Sequence, residues 1–146
     1  MKTIKRWLWN EDEAVVLASR FISFYKGTMF LKVPFLNTAG FSCGVVLLGR
    51  HVSNPDTVKH EYGHKVHLDR IGWKSYLKNV VRPSMKWFRS NPPYEAYYSK
   101  PYEYLADRFG GVERTYHGKP YPYSITPEEA HRYYLQTLGR EFSEIQ

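Results

Sequence analysis

His60 and His64 stand four residues apart with Glu61 between them, in the run His60-Glu61-Tyr62-Gly63-His64. On a helix, positions i and i+4 share a face, so the two imidazoles can offer nitrogen lone pairs to one tetrahedral metal ion while two further positions stay open. Glu61, one residue round from His60, does not point at that ion. It is placed instead to take a proton from a water activated there, the division of roles used in metal-assisted attack on a carbonyl. The spacing is the H-E-x-x-H pattern, for which the expected ion is Zn²⁺, although two imidazoles and a carboxylate suit other transition metals as well.

That chemistry requires a helix, and the flanking residues supply its limits. Asn54 is an N-cap, Pro55 fits the first helical position, and Asp56 falls in the first turn, where the helix dipole favours a carboxylate. Val58, Tyr62 and Val66 recur every four residues as an apolar stripe, and Gly72 marks the stop. His67 lengthens the run to H-E-x-x-H-x-x-H, but the Gly and the later His of the metzincin signature are missing. We read His67 as a partly exposed polar neighbour a turn further along, not as a ligand.

A third ligand should come from elsewhere in the chain. Pro101 can open a short helix and Gly110-Gly111 can close it, with Glu103 and Asp107 on one face between them. One carboxylate can bind the metal while the other accepts a hydrogen bond from the outer nitrogen of a ligating His. Geometry alone leaves open which does which.

Together, His60-Glu61-Tyr62-Gly63-His64 and Glu103-Tyr104-Leu105-Ala106-Asp107 resemble the paired H-E-x-x-H and E-x-x-[SA]-D motifs of the gluzincin metallopeptidases. The resemblance implies that His60, His64 and Glu103 bind zinc, that Glu61 is the catalytic general base and acid, and that Asp107 supports His60. In size the chain is similar to the compact minigluzincins, and H-E-Y-G-H followed by a Glu-containing helix is also similar to zinc peptidase domains of bacterial polymorphic toxins. The same likeness implies that the strand before the metal helix, over Ser42 to Leu48, borders the cleft and pairs with extended substrate. A donor for the oxyanion is also needed. Tyr94, Tyr97, Tyr98, Tyr116, His117, Tyr121, Tyr123 and His131 are candidates, with His117 and Tyr116 preferred for their place in a loop after the second motif.

The remaining pattern gives a scaffold of α+β class, a short sheet with an active-site helix and several further helices. Residues 11–25 carry Ala14, Leu17, Ala18, Phe21, Ile22 and Tyr25 at helical spacing and end at Gly27. Thr28 to Leu36 and Phe41 to Val52 read as the two strands of a hairpin. Trp73 to about Val81 reads as a helix broken at Pro83, followed by a long insertion through Asn91-Pro92-Pro93 where specificity could be built. Thr126-Pro127-Glu128-Glu129 is a capping box opening a last helix that ends near Gly139.

With 146 residues, 17% aromatic and 24% charged, the chain suits one metallopeptidase domain over 1–146 and excludes a disordered or low-complexity class. The single cysteine, Cys43, sits in an apolar run and reads as a packing residue. The basic start at Met1 to Trp9 is interrupted by Asn10-Glu11-Asp12-Glu13 before any apolar core of a signal peptide, so the cytoplasm is the default, with signal-less export as a second route. The net charge of +7 is spread along the sequence, with modest groups at Lys2 to Arg6 and Lys74 to Arg89. The expected partner is a peptide or protein substrate, with neither nucleic acid nor membrane, and the expected state is a monomer. The function expected is zinc-dependent endopeptidase. Its alternatives are a non-proteolytic, zinc-stabilised regulatory or partner-binding domain, and a latent or toxin-type peptidase domain held shut by its own termini.

Overall fold

The computed structural model describes residues 22–33, 40–42, 45–49, 52 and 54–138. Strands β1 (Ile22–Tyr25) and β2 (Thr28–Val33) form an antiparallel hairpin. The turn between them is Lys26-Gly27, both at positive φ (49° and 78°), the backbone of a two-residue hairpin turn. Strand β3 (Gly40–Ser42) pairs antiparallel with β4 (Val46–Gly49), and β4 in turn pairs parallel with β2, giving the order β1-β2-β4-β3.

Three expectations change here. Ile22 to Tyr25 are a strand and not the end of a helix: Ser23 and Tyr25 are buried while Ile22 and Phe24 are exposed, a period of two. The rest of the helix read over residues 11–25 lies outside the described residues, as do the basic N-terminus, Cys43 and Gly139. Next, β2 and β4 are parallel neighbours and not hairpin partners, because the chain inserts β3 between them. Finally, Ser42 to Leu48 spans two strands. β4, the strand before the helix that carries His60 and His64, has β2 on one side and β3 on the other, so its edges are taken; among the described residues β1 and β3 are the edge strands.

Helix α1 (Pro55–Ile71) follows β4 and begins as its residues dictate: the Asp56 amide donates to Asn54 Oδ1 (2.9 Å), Pro55 takes the first turn, and Gly72 ends it at φ 81°. Its Val58 and Tyr62 seat on the sheet's inner face with Tyr25, Phe30, Val46, Leu48 and Val52. Most of its remaining buried positions are polar or small, namely His60, Glu61, Gly63, His64 and His67. That is unusual for an interior face and has to be balanced by partners.

Beyond Gly72 the chain runs through α2 (Trp73–Tyr76), a π-helical turn (Leu77–Val81) and α3 (Arg82–Arg89). The helical path therefore continues past Pro83, where a break was expected. Proline cannot donate to the carbonyl four residues back, which is that of Asn79. The Tyr133 hydroxyl donates to Asn79 O instead, and the Arg82 amide reaches back five residues to Leu77 O, so the wide turn absorbs the proline.

After α4 (Tyr94–Tyr97) comes α5 (Pro101–Gly110), which lies against α1. A short hairpin, β5 (Thr115–Tyr116) and β6 (Lys119–Pro120), leads to α6 (Pro127–Leu138). The expected capping box is formed: the Glu129 amide donates to Thr126 Oγ1 (3.1 Å), and the Thr126 amide donates to Glu129 Oε1 (3.4 Å). Tyr104, Leu105 and Ala130 pack α5 on α6, while Leu68, Tyr76, Val80 and Tyr102 close the space between α1, α2 and α5. The architecture is α+β, with α1 between the sheet and the other helices. No helix among the described residues is long and apolar enough to cross a membrane.

Candidate metal centre

The close approach of α1 and α5 builds the site. A β-carbon on Gly63 would lie 1.8 Å from Ala106 O, and one on Gly110 would lie 1.9 Å from Lys59 O. Only residues without a side chain permit these two crossings. The small residues at Gly63 and Ala106 thus bring the backbone of one motif onto that of the other. Gly111, at φ 71° and ψ 33°, supplies the left-handed cap that ends α5.

At this crossing, Glu103 Oε2 stands 2.8 Å from His60 Nε2 and 3.4 Å from His64 Nε2. The two imidazole rings meet edge to face with centroids 4.7 Å apart. Potential ligand atoms of His60, Glu61 and His64 all lie within 4.8 Å of one another, so these three buried residues could hold a metal ion. Glu103 is buried with them.

Asp107 fixes His60 from behind. Its Oδ1 accepts from His60 Nδ1 at 2.7 Å, which leaves Nε2 as the nitrogen facing Glu103 and His64. Asp107 is itself held by Arg114, whose Nε donates to Oδ2 (2.9 Å) and whose second nitrogen donates to Oδ1 (2.8 Å), and by the Tyr123 hydroxyl, which donates to Oδ2 (2.7 Å). The Arg114 guanidinium also lies 3.4 Å from the centroid of the Tyr98 ring, and that ring meets His60 edge-on at 5.3 Å. The second oxygen of Glu103 has its own partner, Ser84, whose hydroxyl donates to Oε1 at 2.6 Å.

The charges follow from these contacts. Burial opposes ionisation of Glu103, but the neighbouring His64 and hydrogen bonds from His60 and His64 outweigh it and hold the carboxyl well below its usual range. Asp107, despite its burial, is held down to about 2 by hydrogen bonds from Arg114 and His60. Burial would lower His60, yet its hydrogen bonds to Asp107 and Glu103 raise it to about 10. Burial keeps Glu61 above the ordinary carboxylate range, against the pull of His64 and His60.

No protein-family model, curated protein or solved structure matches this chain. The fit of a metal therefore rests on the donor atoms themselves. With His60 Nδ1–H committed to Asp107, Nε2 and Oε2 can stand 2.8 Å apart only with a positive charge between them. A proton shared between Nε2 and Oε2 can supply that charge, and a cation would supply it in the proton's place. Two ligands each about 2.0–2.1 Å from a tetrahedral ion stand roughly 3.3 Å apart, close to the separation of His64 Nε2 and Glu103 Oε2 (3.4 Å). The residues fit a metal.

Four side chains singled out from the sequence as ligands or base, His60, Glu61, His64 and Glu103, come together with Asp107 behind them. His67 is not among them, and it is not partly exposed. It is wholly buried, packed among Tyr76, Phe109, Tyr133 and Tyr134, with Nε2 3.1 Å from Thr137 Oγ1. The two preferred oxyanion donors belong to the β5–β6 hairpin. The Tyr116 hydroxyl donates to Glu95 Oε2 (3.0 Å), and His117 occupies the exposed turn of the β5–β6 hairpin at φ 52°. Of the other candidates, Tyr98 touches His60 and Tyr123 is bound to Asp107, whereas His131 is exposed on α6. Tyr97 is pushed far above the usual phenol range by burial and then by the charge of Glu103, with a smaller contribution from Glu61.

Arg114 and Ser84 were not singled out from the sequence. Arg114 had no local signal, since its link to Asp107 depends on the reversal at Gly110-Gly111. Ser84 follows the proline that reads as a helix end, which placed it in a loop.

Proposed function

We propose that the protein is a zinc-dependent endopeptidase of gluzincin type. The observation that carries this reading is the convergence of His60 Nε2, His64 Nε2 and Glu103 Oε2, with Glu61 beside them. Two imidazoles and a carboxylate match the donor set of catalytic zinc sites. When bound, such an ion supplies a Lewis acid that lowers the pKa of water and draws charge from a carbonyl oxygen. Glu61 takes the proton of the attacking water on its carboxylate and passes it to the leaving amine. Asp107 keeps His60 in one tautomer and orientation, and Arg114 and Tyr123 keep Asp107 in place. Ser84 restrains Glu103 through its other oxygen.

A second reading draws on the burial of His60, Glu61 and His64, each no more than 7% exposed. In it the ion only staples α1 to α5 and the domain serves binding. Glu61→Gln separates the two. Assayed on a diverse peptide library with zinc present, the wild type should cleave and Glu61→Gln should lose at least about 100-fold of that activity while keeping its metal. Equal cleavage by both proteins, or none by the zinc-loaded wild type, would overturn the peptidase reading.

A further inference from the structure

The helical run from Trp73 to Arg89 carries three rows of side chains. Tyr76, Val80, Ser84 and Trp87 face inward: Tyr76 and Val80 are buried, Ser84 reaches Glu103, and Trp87 Nε1 donates to Tyr97 O. A second row faces out and is apolar, with Trp73, Leu77, Met85 and Phe88 at 49, 47, 43 and 60% exposure and the half-buried Val81 between them. Directly after each member of that row comes a basic residue: Lys74, Lys78, Arg82, Lys86 and Arg89, all exposed. From Arg70 to Tyr94 the chain has no carboxylate side chain.

Side chains repeating every four residues drift by about 40° per step around a straight α-helix. The π-helical turn at Leu77–Val81 takes up part of that drift, so the apolar and basic rows run side by side along the helix. The result is a convex ridge about 25 Å long, with large apolar side chains along one line and five positive charges along the next. A contiguous row of large apolar side chains, exposed among the described residues, marks an interaction surface. Nucleic acid would leave the apolar row unused. An acidic protein would have to bring a groove to a convex ridge. A bilayer with anionic headgroups meets both rows at once, with Trp73, Leu77, Met85 and Phe88 entering the acyl boundary and the lysines and arginines remaining at the phosphates.

We propose that the outer face of Trp73–Arg89 is a docking surface for an anionic lipid membrane. It departs from the expectation of no membrane partner, which rested on the spread of basic residues along the sequence; the helix gathers five of them on one side. Docking would place the metal centre close to the bilayer, because Ser84 on the inner side of the same helix holds Glu103. Binding is read without turnover, so the proposal stands or falls apart from the peptidase reading.

The test is co-sedimentation of the full chain with phosphatidylcholine vesicles, with and without phosphatidylserine, at low and high salt. The wild type should pellet with the anionic vesicles and not with the neutral ones, and less so at high salt. The pair Lys78→Glu, Lys86→Glu and the pair Leu77→Ser, Phe88→Ser should each weaken binding by about tenfold or more. Lys119→Glu, Arg132→Glu reverses the same charge at exposed positions elsewhere and should stay within about twofold of the wild type. Circular dichroism checks that each variant is folded. No pelleting of the wild type overturns the proposal, as does an equal loss in the Lys119, Arg132 pair, or binding to a poly-glutamate peptide with none to vesicles.

Discussion

His67 separates position along a helix from chemical role. It lies three residues past His64, yet its ring is enclosed by four aromatic side chains instead of joining the candidate metal centre. The Thr137 hydroxyl donates its proton to Tyr134 O (2.6 Å), so His67 Nε2 must be the donor to Thr137 Oγ1. Burial, with smaller contributions from His64 and Arg70, lowers it from 6.5 to about 3. Below pH 6.5 the unfolded chain therefore takes up a proton at this residue that the native chain refuses. Stability from this source is complete above that pH and declines as the pH falls toward 3. Between pH 7 and pH 5 the wild type should lose up to about 2 kcal/mol on this account, and His67→Phe should lack that part of the loss. Urea unfolding at the two pH values measures it; the same pH dependence in both proteins would show that His67 is charged or solvated when folded. At this scale the sequence disclosed the residues whose meaning is local, since the spacing of His60, Glu61 and His64 needs only a helix. Arg114 and Ser84 act across chain reversals, and nothing in their neighbours announces it.

The elements explain why the two motifs contain small residues. By intrinsic propensity Gly63→Ala should stabilise α1 by about 1 kcal/mol, because glycine is a poor helix former. The crossing argues the reverse, since the added carbon would meet Ala106 O at 1.8 Å and force α5 away. Gly63→Ala should therefore destabilise the fold by about 1–3 kcal/mol and weaken metal retention, while Asp69→Ala, exposed on the same helix, should do neither. Thermal unfolding and metal content of the two variants check this, and a stabilised Gly63→Ala would refute the close contact. Helices with strong ends were readable: Asn54-Pro55 opens α1, Pro101 and Gly111 bound α5, and Thr126 with Glu129 caps α6. Ambiguous punctuation misled. Gly27 can end a helix or turn a hairpin, and here it turns one with Lys26. Pro83 reads as a break, yet the turn at Leu77–Val81 and the Tyr133 hydroxyl accommodate it.

At the scale of the whole molecule, α1 is the shared member of the sheet core and the candidate metal centre, so a bound ion would tie the sheet side of the fold to α5. Sheet order was not legible, because parallel pairing of β2 with β4 depends on β3 passing between them in sequence and not on any local pattern. The α+β class was legible, because it needs only the kinds of element present. The claim on which the rest depends is that His60, His64 and Glu103 hold one metal ion. Elemental analysis of purified wild type, Glu61→Gln and Glu103→Ala after growth with zinc addresses it directly. Near-stoichiometric zinc is expected in the first two and its loss in Glu103→Ala. A folded wild type without metal, or a Glu103→Ala protein that keeps its full complement, would contradict it.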